Sequence, residues 1–211
     1  PRTKVVMINS PCNPTGGILS KEACEKLAEI AIKHDLFVIS DEVYRHIIFD
    51  GLKYFSIASV PGMKERTLIV DSCSKTFAMP GFRVGFGAGP KELIALMIKL
   101  TEGVYSAVPN TPQRGAIAAI RTCLPYCGKM TAEYQRRRDY ICEKINQMQG
   151  LSCIRPKGAF YVFVNVEKTG LSAEEFSLRL MDDEHVAVVP GNNFGSVKGS
   201  SYFRISYATS M

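Results

Sequence analysis

Apolar positions along the chain fall into two textures. Short, nearly continuous apolar runs at 4–9, 36–40 and 67–70 have the look of strands buried on both faces of a parallel sheet. Between the first two, Ala23, Leu27, Ile30 and Ala31 recur at helical spacing behind Ser20, which predicts a capped helix reaching about His34. Residues 45–66 are looser, with turns at Gly51 and Pro61-Gly62. The run at 83–89 predicts a glycine-rich strand that another segment can approach closely. Helical spacing then predicts helices over 91–101, 112–122 and 131–149, the last stopped by Gly150. Beyond it the pattern is that of a smaller α+β unit. Strands are expected at 160–165, 186–189 and 202–208, a helix over 172–181 opened by the Ser172-x-x-Glu175 capping box, and a loop at 190–195. The predicted class is α/β: a mostly parallel sheet over 1–127, a linking helix over 128–150 and a small α+β domain over 151–211.

Composition narrows this picture without changing it. At 211 residues, 46% hydrophobic and 22% charged, the chain is globular, neither disordered nor fibrous, and long enough for one domain or one and a half. The formal charge of +6 is spread among acidic neighbours. Its one dense run, Arg136-Arg137-Arg138, lies in the predicted 131–149 helix and reads as a solvated face or ion-pair partner, so no nucleic-acid partner is expected. No apolar run reaches the ~18 residues of a membrane span, and the start of the chain leads into a strand rather than a signal peptide. With no initiator Met, Pro1 reads as an internal cut. Seven cysteines, odd in number and without a C-x-x-C pair, predict free or buried thiols in a reducing cytoplasm. Cys123 and Cys127 lack a second ligand pair for zinc, and the three histidines stand too far apart in sequence to suggest a metal site or a Ser-His-Asp triad. Neither an internal repeat nor a low-complexity tract is visible.

The polar residues at the strand ends carry the candidate chemistry, because ligands of open parallel sheets collect outside the carboxyl ends of the strands. The first strand runs into a loop at 10–17, rich in Pro and Gly and containing Asn13; the second ends in Asp41 and Tyr44; the third delivers Ser72, Ser74 and Lys75, with Arg83 soon after. A lysine amine can form a Schiff base with a carbonyl cofactor, and burial or cationic neighbours lower its pKa from about 10.4. On local pattern alone, a solvated surface lysine describes Lys75 as well. The combination says more. Lys75 for an aldehyde, Asp41 for a ring nitrogen, Tyr44 and Asn13 for a ring oxygen, and Ser72, Ser74 and Arg83 for a phosphate match what an aldehyde-bearing pyridine phosphate needs. The glycines of 83–89 do not have dinucleotide-loop spacing. Arg204 interrupts an alternating strand and on that pattern alone reads more readily as an edge or rim residue than as a carboxylate clamp.

The ordered set N-P-T-G at 13–16, S-D-E-V-Y at 40–44, S-C-S-K at 72–75 and G-F-R-V-G at 81–85 resembles the class I/II, fold type I pyridoxal-phosphate aminotransferases. P-x-G-A-F-Y at 156–161, V-P-G-x-x-F-G at 189–195 and F-R-I-S-Y-A at 203–208 resemble their small domain, so the likeness spans the chain. It implies pyridoxal 5'-phosphate as cofactor, Lys75 as the imine lysine and Arg204 as ligand of the substrate α-carboxylate, with Asn13 beside it. It further implies ping-pong transamination between an L-amino acid and a 2-oxo acid, in a homodimer. Family members are roughly twice this length. The resemblance therefore implies a piece trimmed at both ends, lacking a phosphate loop, the aromatic residue stacked on the pyridine and an intersubunit arm. An unprotected sheet edge and little or no activity of these 211 residues alone are expected. Readings that share the fold are a Cβ-S lyase, the non-catalytic effector domain of a transcription regulator and a degenerate structural partner. The likeness is to the broad aspartate, aromatic and alanine group; the amino acid itself is not legible.

Overall fold

The computed structural model describes residues 2–195 and 198–209. The first half of the chain runs β1 (Val5–Asn9), α1 (Lys21–Lys33), β2 (Phe37–Asp41), β3 (Thr67–Ser72), α2 (Cys73–Thr76) and β4 (Gly85–Ala88). The first three strands pair in parallel in that order, and β4 closes the sheet antiparallel to β3. Register places Asn9 beside Asp41 and Asp41 beside Val70, so the three polar strand ends lie side by side.

Helix α1 begins where Ser20 Oγ accepts the Ala23 amide at 3.2 Å. Its inward residues are small: Cys24, Ala28 and Ala31 let the helix settle against Val38, Ile57 and Met63 on one sheet face. Helix α3 (Lys91–Tyr105) meets the other face through Gly87, where a Cβ would stand 3.2 Å from Met97 Cε. A Cβ at Gly89 would stand 3.0 Å from the Thr67 carbonyl oxygen, so the close approach expected of this strand is realised. Strands β1 and β4 are the two edges of this sheet; Met7 on β1 is 70% exposed, and all of β4 is exposed.

Helices α4 (Asn110–Thr122) and α5 (Leu124–Gln147) follow. The linking helix expected over 128–150 thus starts earlier, because Pro125 sits in the first turn, where a missing N–H breaks no helical bond. All three arginines of the run are ion-pair partners, one of the two expected readings, but they divide between the two sides of the helix. Arg136 and Arg137 bond Glu133 at 2.9 and 2.8 Å, but the helical turn carries Arg138 inward, where it is fully buried. Its guanidinium forks onto Asp50 with two bonds of 2.7 Å and donates to the Pro156 carbonyl at 3.0 Å.

The second sheet takes β5 (Ser152–Cys153), β6 (Tyr161–Asn165), β7 (Val189–Pro190) and β8 (Tyr202–Ser206) in the order β5-β6-β8-β7, all antiparallel. Helix α6 (Ala173–Glu184) opens with the expected capping box, Ser172 Oγ accepting the Glu175 amide and Glu175 Oε2 accepting the Ser172 amide. The strand expected over 186–189 shrinks to β7. His185 turns the helix end with φ +58°, and the Val186 amide is committed to the Leu180 carbonyl.

Residues 44–49 leave β2 and enter the core of the second sheet, where Tyr44, Ile47 and Phe49 pack with Val162, Val164, Phe203 and α5 residues Cys142 and Ile145. Backbone bonds from Phe49 to Lys157 and from Ala159 to Ile47, each 3.0 Å, fix that crossing. The loop after β1 is tied to the same place: the Lys157 and Gly158 amides both donate to the Gly16 carbonyl. Gly16 has φ +66°, and a Cβ there would stand 2.4 Å from Pro156 Cβ.

Candidate active site

Asn9, at the end of β1, organises the first wall. Its Oδ1 accepts the Asn13 amide at 2.7 Å, and its Nδ2 donates to the Asp41 carbonyl at 3.4 Å. Asp41 is half-buried, and its Oδ1 accepts the Val43 amide at 3.2 Å. Burial pushes its carboxyl above the usual range and the neighbouring Asp71 adds to the rise, while the Val43 amide and Asn9 oppose it. Strand alternation sends Glu42 the other way. It is fully buried behind the sheet and accepts hydroxyls from Ser40 and Ser56.

Lys75 stands on α2, a single turn that the sequence reading missed. Ser72 Oγ caps it by accepting the Ser74 amide at 3.3 Å, and buried Cys73 and Thr76 anchor its inner side. The half-buried Lys75 has its Nζ 5.5 Å from the centre of the Phe160 ring and makes no ion pair among the described residues. Nearby Asp71 has a partner in Arg45, at 2.8 Å.

Arg204, on β8, supplies the opposite wall. Its guanidinium lies against two rings, 4.5 Å from the centre of Tyr161 and 4.9 Å from that of Phe194. Nη1 donates to Asn13 Oδ1 at 2.8 Å, which joins the two sheets, while the buried Nε has no partner among the described residues. Tyr44 is buried, and its hydroxyl lies 2.9 Å from that of Tyr161. Burial, then the bond to Tyr161, pushes its phenol well above the ordinary value.

The structure therefore connects Asn13, Asp41, Tyr44 and Arg204 through direct bonds or shared neighbours, and brings Lys75 to them through Phe160, which packs on Tyr44 and Tyr161. Two expected ligands have no side-chain bond to these residues. Arg83 is exposed, in the left-handed conformation with φ +53°, and its Nη1 donates to the Pro80 carbonyl; Ser74 is half-buried with no side-chain bond among the described residues. Asn9, Phe160 and Tyr161 stand in the site but were not singled out from sequence. The last two lay in the 156–161 motif, whose alternation gave no hint of which side faces Arg204.

The donor set suits pyridoxal phosphate and an amino acid. Lys75 has no counter-charge among the described residues, Arg204 Nε is buried without an acceptor, and Asp41 is a carboxyl whose burial a cationic ring nitrogen would offset. Among the described residues no group of three or more metal-ligating side chains occurs, and no helix is long and apolar enough to cross a membrane.

Comparison with known proteins gives this arrangement a context. The chain is 48% identical to an aspartate aminotransferase of Pyrococcus abyssi, over 99% of this chain and 54% of that protein. It is 44% identical to aromatic-amino-acid aminotransferase 2 of Thermococcus litoralis, with the same two shares. Among solved structures, an aromatic aminotransferase from Pyrococcus horikoshii superposes with a TM-score of 0.94 at 44% identity, covering 99% of this chain and 56% of that one. The aspartate aminotransferase of Rhizobium meliloti does so with 0.93 at 36%, covering 100% and 55%. The chain spans about half the length of the relatives it matches. Its fold is the α/β fold of the fold type I aminotransferases. The family profile "Aminotransferase class I and II" matches residues 1–211, and the chain belongs to that family.

Proposed function

We propose that this chain carries the catalytic lysine and the carboxylate clamp of a pyridoxal-phosphate-dependent transaminase that exchanges an amino group between an L-amino acid and a 2-oxo acid. The observation that carries the reading is the pairing of Lys75, which makes no ion pair among the described residues, with Arg204, whose buried Nε has no acceptor among them. The bound cofactor supplies an aldehyde and an electron-accepting ring that stabilises negative charge left at the substrate α-carbon.

The protein's part follows from its side chains. Lys75 is the covalent attachment point and, once released, the general base and acid that moves the α-carbon proton. Asp41 holds the ring nitrogen in its protonated form; for unit charges some 4 Å apart at an effective dielectric near 20 this is worth about 4 kcal/mol. Tyr44 and Asn13 are donors to the ring oxygen, and Arg204 takes the α-carboxylate with its planar fork. Ser72 and Ser74 hold the phosphate together with Arg83, which exchanges the Pro80 carbonyl for it. On the same footing we assign residues 1–127 and 151–211 to two domains, a homodimeric state to the protein at its relatives' length and a cytoplasmic location, which the free cysteines support; sedimentation at the relatives' length checks the dimer.

Aspartate and aromatic amino acids are the first substrates to try, given the relatives. Product analysis of the cofactor-loaded protein at its relatives' length, with each amino acid, tests the reaction. A 2-oxo acid with its carbon skeleton intact supports transamination. Pyruvate with ammonia and a released thiol from a cysteine conjugate assigns a Cβ-S lyase, and cofactor capture without product assigns a non-catalytic domain.

A further inference from the structure

Tyr161 touches two of the groups to which the site assigns different tasks, and it does so with different parts of one side chain. Its hydroxyl lies 2.9 Å from the Tyr44 hydroxyl, and its ring face carries the Arg204 guanidinium at 4.5 Å. It is 7% exposed, held on β6 between Phe160 and the β8 strand to which it is paired. We propose that Tyr161 is a positioning residue of this site, its hydroxyl orienting Tyr44 towards the cofactor oxygen while its ring orients Arg204 towards the substrate carboxylate. This rests on the function proposed above.

The direction of the shared hydrogen bond depends on whether a cofactor oxygen stands beside Tyr44. In the ligand-free site either hydroxyl can be the donor, and the bond to Tyr161 raises the Tyr44 phenol, as a bond that Tyr44 donates does. Once Tyr44 turns its proton to the ring oxygen, its own oxygen is left to accept from Tyr161, whose hydroxyl then orients it as donor. A cation stacked on a desolvated ring is held in orientation as well as in place. With Phe194 also against it and Nη1 on Asn13, Arg204 has one buried donor, Nε, without a partner among the described residues, which an α-carboxylate would satisfy.

Two variants separate hydroxyl from ring: Y161F removes only the O–H, and Y161M removes both while keeping most of the volume. In the ligand-free chain, urea midpoints of Y44F, Y161F and the double variant report the hydroxyl pair. The double variant is expected to lose no more than the larger single loss; additive losses overturn the bond. Phenylglyoxal modification of Arg204, followed by peptide mass spectrometry, is expected to be several-fold faster in Y161M than in the wild type and in Y161F. Equal rates in all three overturn the role of the ring. With pyridoxal phosphate bound, the pH midpoint of its visible absorbance is expected to rise by about half a unit in Y161F, because Tyr44 becomes a weaker donor to the ring oxygen. An unchanged or lowered midpoint overturns the positioning role. If the wild-type chain captures no cofactor on Lys75, the proposed function fails, and the two ligand-free arms still decide whether Tyr161 holds its two partners.

Discussion

At the scale of single residues, Gly16 and Asp41 show how tightly the site is tied to its surroundings. Gly16 combines a positive φ with the approach of Pro156 and Gly158, so an alanine meets both backbone strain and a clash. G16A is expected to cost about 1–3 kcal/mol in denaturant unfolding and to weaken cofactor capture, since the same loop carries Asn13. Asp41 was legible from sequence because it is a carboxylate where an apolar strand ends. Its environment was not, since burial beside Asp71 depends on register. D41N removes the counter-charge of the ring nitrogen while keeping the shape. Product formation in a single turnover is expected to fall by about a hundredfold or more, with cofactor still attached to Lys75. A near-normal rate would remove Asp41 from its assigned role. Tyr161 was illegible because a tyrosine on an alternating strand reads the same whether it faces a core or a guanidinium.

Elements decide which of these residues meet. The one-turn helix α2 has too few residues for any periodicity, so only the structure shows that Ser72 both starts it and sets Lys75 on its outer side. S72A is expected to cost about 1 kcal/mol of stability through the lost cap, and to weaken pyridoxal phosphate more than phosphate-free pyridoxal. Helix α5 was legible as a long amphipathic helix, but not the burial of Arg138, because partners far away in sequence, Asp50 and Pro156, draw it inward. R138A removes a fully buried side chain with its bonds to Asp50 and the Pro156 carbonyl, and a loss of about 2–3 kcal/mol is expected from urea unfolding. The fork from Arg138 holds the Asp50 carboxyl below its ordinary value. A lowered folded pKa means that the pair stabilises fully above the unfolded value near 4 and less as the pH falls through the folded one. The wild type should therefore lose urea resistance between about pH 5 and pH 2 more steeply than D50N does; equal slopes would remove the pair from the acid limb.

For the whole molecule, the two sheets meet at a seam made by the Gly16 carbonyl, the 44–49 crossing and the bond from Arg204 to Asn13, and the site lies along that seam. The order of motifs made the fold class legible, the apolar runs placed the three parallel strands of the first sheet, and the glycine-rich run placed β4. The crossing of 44–49 into the second core was hidden because it rests on long-range packing of a segment that looks like a loop. The sheet edges at β1 and β4 and the exposed Met7 fit a chain that spans about half the length of its relatives, and we expect turnover by these 211 residues to lie far below that of relatives. A ligand that bridges the seam stabilises the folded state by mass action. Pyridoxal phosphate at a hundred times its dissociation constant should add about 2.7 kcal/mol in thermal unfolding.

The central claim is that Lys75 is the lysine that captures the cofactor. Incubation of the chain with pyridoxal phosphate, reduction with borohydride and peptide mass spectrometry read it directly. The expected result is one stoichiometric label on Lys75, lost in K75A. A label spread over surface lysines, or one that persists in K75A, would contradict it.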